Sequence, residues 1–317
     1  MGITPLWVSL FQGQLGALCI PRRFKCRWDL PQCVAVGLLL EKWKLCRTEA
    51  SGRMVGEWGG VAIAALGPGE VKCRWVLARN CAEAYTPAFT PPEYPRLIID
   101  LWQWGEHREG EKHELVEQIL ASLNVVRSFL WDGNLWLTHT PGEFLELLSR
   151  HARGLRHRVN VAWELPPLRS PVVLDPEGPC VLTEEEVFQR SEFIVGGIVD
   201  KERVAKGATG RLARALGVER RCRIELRGST VGVPDRINKV VEILVRTLAG
   251  EPLEVAILKT QAKRDRVYRL MWEIQRRARR RGGVLAISRE SLAEANWLGA
   301  PEEEVALAVR KTGVVLS

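Results

Sequence analysis

Asparagine and glutamine together number only fourteen in 317 residues. Scarcity of these thermolabile amides points to a warm-living source. No run approaches eighteen consecutive apolar residues, so a membrane-spanning helix is excluded. The apolar first twenty residues lack a basic leading segment, so no secretory leader is expected. Gly2 is followed by Leu6 where acylation of that glycine wants Ser or Thr. A cytoplasmic protein is expected. No two of the eight cysteines form a CxxC pair. His107, His113, His139, His151 and His157 are scattered, so neither residue type offers metal-ligand spacing and no metal is expected. The Rossmann GxGxxG fingerprint is absent, as are internal repeats and low-complexity tracts.

What is present is basic. The formal net charge is +8 and the pI about 9.2, with Arg far outnumbering Lys. A basic balance points to a polyanionic partner. Arg forks bind phosphate bidentately and stack on bases, which favours nucleic acid. Genomic codon bias toward Arg is the other explanation. Six of the eight cysteines lie before residue 82. Thermophile cytosols tolerate disulfides, which allows one or two bridges in this region.

Three regions are expected. Residues 1–92 carry short apolar runs (34–40 and 59–66) between turns and read as several short strands. Pro87, Pro91, Pro92 and Pro95 then make an extended link. Residues 93–281 alternate strand and helix. Strands are expected at 97–101, 134–138, 159–163, 171–175, 192–199 and 222–226. Helices are expected at 112–126, 142–151, 204–216, 235–249 and 263–281, with Thr183 and Glu186 as a capping box for one more. This order implies α/β layers around a mostly parallel sheet, with ligands beyond the carboxyl ends of the strands. Residues 282–317 read as a small helical module with a weak helix–turn–helix outline.

The most informative stretch is 193–239. FIVGGIVDKER and RGSTVGVPDRINK each place a glycine turn at a strand end, followed at once by charge. Glycine allows backbone shapes and approaches that a Cβ forbids, so two such turns make a backbone-lined pocket with Asp200 and Asp235 at its rim. This segment resembles the archaeal branch of the tRNA position-nine N1-purine methyltransferases, of the SPOUT class. The likeness runs more loosely from Leu97 to Arg281 and does not include the first ninety residues.

The resemblance implies a trefoil-knotted sheet with helices on both faces, a monomer, tRNA as partner and S-adenosylmethionine as cofactor. It implies three cofactor loops: Leu174, Asp175 and Pro176; Gly196, Gly197, Ile198 and Val199; and Arg227, Gly228, Ser229, Gly232 and Val233, with Asn238 beyond. It implies catalytic carboxylates at Asp200, Asp235 and Asp100. Each also has a plain structural reading, as an ion pair, a helix-terminal charge or a loop residue.

The segment 263–281 holds nine cations and two acids. With Lys201, Arg203, Arg236 and Lys239, its Arg264, Arg276, Arg277, Arg279 and Arg280 form the expected RNA footprint. Tyr268 and Trp272 read as core. Two other functions stay open: a SPOUT enzyme acting on ribosomal RNA, and a non-catalytic RNA-binding or regulatory protein.

Overall fold

The computed structural model describes residues 6–7, 15–85, 90–199 and 207–317. The N-terminal unit comprises β1 (Ala17–Ile20), α1 (Leu30–Leu39), β2 (Lys44–Trp58), β3 (Val61–Leu66), β4 (Val71–Ala78) and β5 (Ala84–Tyr85). The apolar run at 34–40, expected as a strand, is helical. Pro31 in the first turn presets the helical φ, and Val34 and Ala35 face the core. In place of several short strands, β2 runs for 15 residues. Register shifts after Arg47 and Met54 let β2 pair with β4 along its first part and with β3 along its second. The sheet thereby closes on itself, which removes most of its free edge. Three disulfides tie this unit, Cys19–Cys73, Cys26–Cys33 and Cys46–Cys81. That exceeds the one or two expected, and a fourth bridge lies outside it.

The central unit is built on a seven-stranded sheet, entirely parallel. Its strands are β6 (Arg96–Asp100), β7 (Leu135–Thr138), β8 (Asn160–Val161), β9 (Pro171–Leu174), β10 (Cys180–Val181), β11 (Glu192–Gly196) and β12 (Arg221–Arg223), in the order β10-β12-β9-β11-β6-β7-β8. Side chains alternate between the faces. Leu97 and Ile99 enter a large core under α2 (Glu109–Val126), α3 (Gly142–His151), α6 (Ile237–Leu248) and α7 (Leu253–Thr260). Ile98 points the other way, to a smaller core with Val173, Ile194 and Ala213 of α5 (Ala208–Ala215). Helices therefore cover both faces. Between them in sequence, α4 (Glu184–Gln189) begins at Thr183, whose Oγ1 accepts from the Glu186 amide at 3.2 Å. Only half the expected capping box forms, because the Glu186 carboxylate is taken by Arg190 and Arg220. The fourth disulfide joins Cys180 to Cys222, register partners on β10 and β12.

The basic helix, α8 (Lys263–Arg277), ends four residues before the expected 281. Gly282 and Gly283, at φ 56° and 84°, make a two-residue hairpin turn between β13 (Arg279–Arg281) and β14 (Val284–Ile287). α9 (Arg289–Ala295), α10 (Glu302–Thr312) and β15 (Val315–Leu316) complete the chain. Val267, Leu270 and Ile274 of α8 pack into a third core with Ala295, Ala300 and Ala308, so the helix belongs physically to this last unit.

The closed N-terminal sheet and the central unit meet at Gln32 of α1, which bonds to a loop of the central unit braced by a buried ion pair. Arg127 Nε and Nη2 donate to Asp132 at 2.7 and 2.6 Å, and Arg127 Nη2 also donates to the Arg156 carbonyl. Gln32 of α1 donates to the carbonyls of Arg127 and Leu130 around this pair. Asp132 is fully buried. Asp132→Ala leaves a buried guanidinium unpaired and is expected to cost about 3–5 kcal/mol. Denaturant unfolding measures this, and a loss below about 1 kcal/mol would mean the pair does not support the junction.

Candidate active site

The carboxyl ends of β9, β11 and β12 open into a cleft of about 990 Å³. Its floor is apolar and buried, made by Leu174, Val195, Cys222, Ile224 and Ile237. Its rim is exposed and charged, with Asp235, Arg236, Arg264 and Tyr268. Three loops converge there, as the family resemblance implies, and each is held by a different device.

The first loop, after β9, is fixed by Asp175. Its Oδ1 accepts from the Glu177 amide at 3.0 Å and its Oδ2 from Arg221 at 3.0 Å. Asp175 is thus a buried brace, while Leu174 lies on the cleft floor and Pro176 is exposed at its side.

The second loop follows β11. Gly196, Ile198 and Val199 line the cleft, whereas Gly197 faces the other way. Its amide donates to the Asp100 carbonyl at 2.7 Å, and a Cβ there would sit 2.8 Å from that oxygen. Glycine is required for close approach of two backbones, not to leave room for a ligand. The Val199 amide donates to His107 Nε2 at 3.0 Å, which leaves the ring proton on Nδ1, facing the Gln103 carbonyl. Asp200, Lys201 and Arg203 lie outside the described residues.

The third loop is pinned from α8. Arg269 is fully buried and donates to the carbonyls of Leu226 (2.6 Å) and Val231 (3.3 Å) and to Glu273 (2.9 Å). Glu273 also accepts from Trp297 and Arg277. Burial alone would raise the Glu273 carboxyl; hydrogen bonds from Trp297, Arg277 and Arg269 outweigh it and hold the group below its ordinary value. Gly232, at φ 78°, lies against α8, where an added Cβ would be 2.6 Å from Arg269 Cβ and 2.8 Å from the Asp265 carbonyl. Its own carbonyl accepts from Gln261 at 2.7 Å. Gly232 and Val233 line the cleft. Arg227, Gly228 and Ser229 do not. Arg227 turns outward to pair with Glu254 and stack on Trp297, and Ser229 accepts from the Val231 amide. Asn238, in the first turn of α6, is also away from the lining residues.

Asp100 is sealed beneath the second loop. Its carboxylate accepts from Thr138 Oγ1, His139 Nδ1 and the Trp102 amide at 2.7, 2.7 and 2.9 Å. Asp235 is exposed on the rim, two residues before α6 begins. Sequence reasoning missed Gln118, whose Oε1 accepts from the Ile237 amide at 2.9 Å inside the cleft, together with His107 and Gln261. An amide on an apolar helix face carries no signal of its partner.

The expected cationic footprint is partly spent on internal pairs. Lys239 bonds to Glu242 and Arg277 to Glu273. Arg236 lies 3.8 Å from Glu114, with two thirds of its side chain exposed. Arg264, Arg276, Arg279 and Arg280 are exposed without an acidic partner among the described residues. No described group of His, Cys, Asp and Glu could hold a metal. No helix among the described residues is long and apolar enough to cross a membrane.

No family model matches the chain. The tRNA (adenine(9)-N1)-methyltransferase of Sulfolobus acidocaldarius is 33% identical over 246 residues, covering 77% of this chain and 80% of that protein. This chain belongs to the tRNA position-9 N1-methyltransferase family. A tRNA (guanine(9)-/adenine(9)-N1)-methyltransferase from Thermococcus kodakarensis is 29% identical, over 74% of this chain and 68% of that one. The crystal structure of Sulfolobus acidocaldarius Trm10 in complex with S-adenosylhomocysteine aligns with a TM-score of 0.75. That alignment covers 99% of this chain and 100% of the other, at 27% identity. The mixed α/β fold around a parallel sheet is therefore that of a position-9 methyltransferase.

The third loop gives a direct test of the site's construction. Gly228→Ala meets open space and bears only the left-handed backbone cost, about 1–2 kcal/mol. Gly232→Ala adds a backbone collision and is expected to lose about 1–3 kcal/mol more. Equal losses in denaturant unfolding would show that α8 does not clamp this loop.

Proposed function

We infer that this chain transfers a methyl group from S-adenosylmethionine to N1 of the purine at position 9 of tRNA. One observation carries the reading: the three-loop cleft occurs in a chain 33% identical to a tRNA (adenine(9)-N1)-methyltransferase. The cleft fits the cofactor. Its volume is ample for a molecule of that size, its floor is a buried apolar slot for an adenine, and its loops present backbone groups for polar bonds. Leu174, Pro176, Gly196, Ile198, Val199, Gly232 and Val233 would hold it, with Asp175 bracing the first loop.

When bound, the cofactor supplies an electrophilic methyl group. The chain's own task is alignment of the incoming N1 with that methyl, the main requirement of an in-line transfer. Adenine N1 is already a free nucleophile. Guanine N1 carries a proton at neutral pH that a carboxylate must accept. We assign that place to Asp200, one residue beyond the anchored Val199, with Asp235 as the second carboxylate at the mouth. Asp100, sealed and triply bonded, acts as a positioning residue for the loop. Adenine is the favoured base in this reading. Arg236, Arg264, Arg276, Arg279 and Arg280 are the RNA surface, joined by Lys201 and Arg203. Residues 93–281 carry catalysis, residues 1–92 contact RNA and 282–317 serve as an accessory module. The protein works as a cytoplasmic monomer, and the loop at 226–233 is the knotted segment.

Incubation with S-adenosylmethionine and transcribed tRNAs bearing A9 or G9, followed by nucleoside mass spectrometry, should yield 1-methyladenosine, 1-methylguanosine or both. Methyl-free product on both tRNAs would overturn the reading. Asp200→Asn should slow G9 methylation by about two to four decades, with partial recovery at higher pH as solvent takes the N1 proton. A9 methylation should fall less and show no such recovery. Equal, pH-independent losses on both substrates would remove Asp200 from proton transfer.

A further inference from the structure

Most of the charge on α8 is used inside the protein, and what remains outside is interleaved with rings. Lys263 pairs with Glu303, Arg266 with Glu304, and Arg269 and Arg277 with Glu273. Arg264, Tyr268, Trp272 and Arg276 are left at four-residue intervals, the spacing that lines side chains along one helix face. Arg264 lies over the Tyr268 ring, 5.4 Å from its centroid, and Arg276 over Trp272 at 4.2 Å. The stripe starts at the cleft, whose rim includes Arg264 and Tyr268, and is about 18 Å long at 1.5 Å per residue.

Tyr268 is the anomaly in this stripe. Sequence reasoning put it in the core, yet it is 46% exposed and its hydroxyl has no hydrogen bond among the described residues. Trp272 is half-buried against Arg269, which accounts for it. No packing need accounts for an open tyrosine ring on the rim of a polar-mouthed cleft. The cofactor reading does not claim it either, because the apolar slot lies on the buried floor.

We propose that Tyr268 is the platform on which an unstacked nucleobase of the RNA substrate lies at the cleft mouth, with Arg264 and Arg276 holding the adjoining phosphates. This rests on the function inferred above. A base whose N1 is to be methylated must leave its stack, which exposes its π-faces. Proteins that hold unstacked strands pair aromatic platforms with cations along the backbone, the pattern this face presents. The C-terminal unit is then a working wall of the active site.

Tyr268→Ala should weaken binding of transcribed A9 tRNA about 5- to 150-fold, the range base–aromatic stacking spans. Tyr268→Phe and Tyr268→Trp should stay within about twofold of wild type, because stacking needs the ring and not the hydroxyl. The salt dependence of tRNA binding should keep its slope in Tyr268→Ala, since no cation is removed. S-adenosylmethionine affinity, by calorimetry, should be unchanged in all three, and so should the melting temperature. Unaltered tRNA affinity in Tyr268→Ala overturns the proposal, as does Phe behaving like Ala or cofactor affinity falling with RNA affinity. Failure of the function reading looks different: wild type itself would not methylate tRNA.

Discussion

The structure turns on one buried cation. Arg269 has its guanidinium out of water, where an unpaired charge is prohibitively costly. It is tolerated because Glu273 neutralises it, the Leu226 and Val231 carbonyls accept its protons, and Trp272 and Trp297 flank it. Those carbonyls belong to the third loop of the cleft. The carboxylate and both rings belong to the C-terminal unit. One side chain therefore makes the shape of the cleft conditional on docking of the last 55 residues. Gly232 reinforces this, since its missing Cβ lets α8 press on the loop.

The other loops use neutral or fully satisfied devices. Asp175 spends both oxygens on its own loop and on β12. Asp100 spends its carboxylate on Thr138, His139 and Trp102, while its carbonyl takes the Gly197 amide. Preorganisation of this kind is what an alignment-limited reaction needs. The disulfide between Cys180 and Cys222 tightens the same floor. β10 and β12 are 42 residues apart in sequence at this bridge, so a crosslink there removes much freedom from the unfolded chain.

Much of this was legible in sequence. The repeated strand-then-helix pattern from Arg96 onward placed β6, β7, β9, β11, α2, α3 and α6 within a few residues, because parallel strands buried on both faces read as apolar runs. The two glycine turns marked the second and third cleft loops, and the family resemblance supplied the first. Failures have physical causes. The run at 34–40 was apolar throughout, and periodicity cannot separate a buried strand from a buried helix; Pro31 was the overlooked sign. Gly282-Gly283 signals a hairpin, but the arginine run around it drew attention to charge. The Cys180–Cys222 bridge exists only because parallel pairing brings the two residues into register, which no spacing rule reveals. Gly197 was read as making room for a ligand, whereas it makes room for the backbone of β6.

The charge along α8 divides between two uses. Nine cations on 263–281 look like a uniform RNA-binding face. In the fold, four of them are consumed by Glu273, Glu303 and Glu304, and those pairs build the interface that supports the cleft. A cation already paired with a carboxylate has less charge to offer a phosphate, so it adds less to the salt-dependent part of RNA affinity. The exposed remainder is a narrower track that begins where the cleft opens. Its direction follows from helix geometry, since only residues of one face stay in line over several turns. A helix that braces the cleft from its inner face thus aims its outer face along the path a substrate strand would take from that cleft.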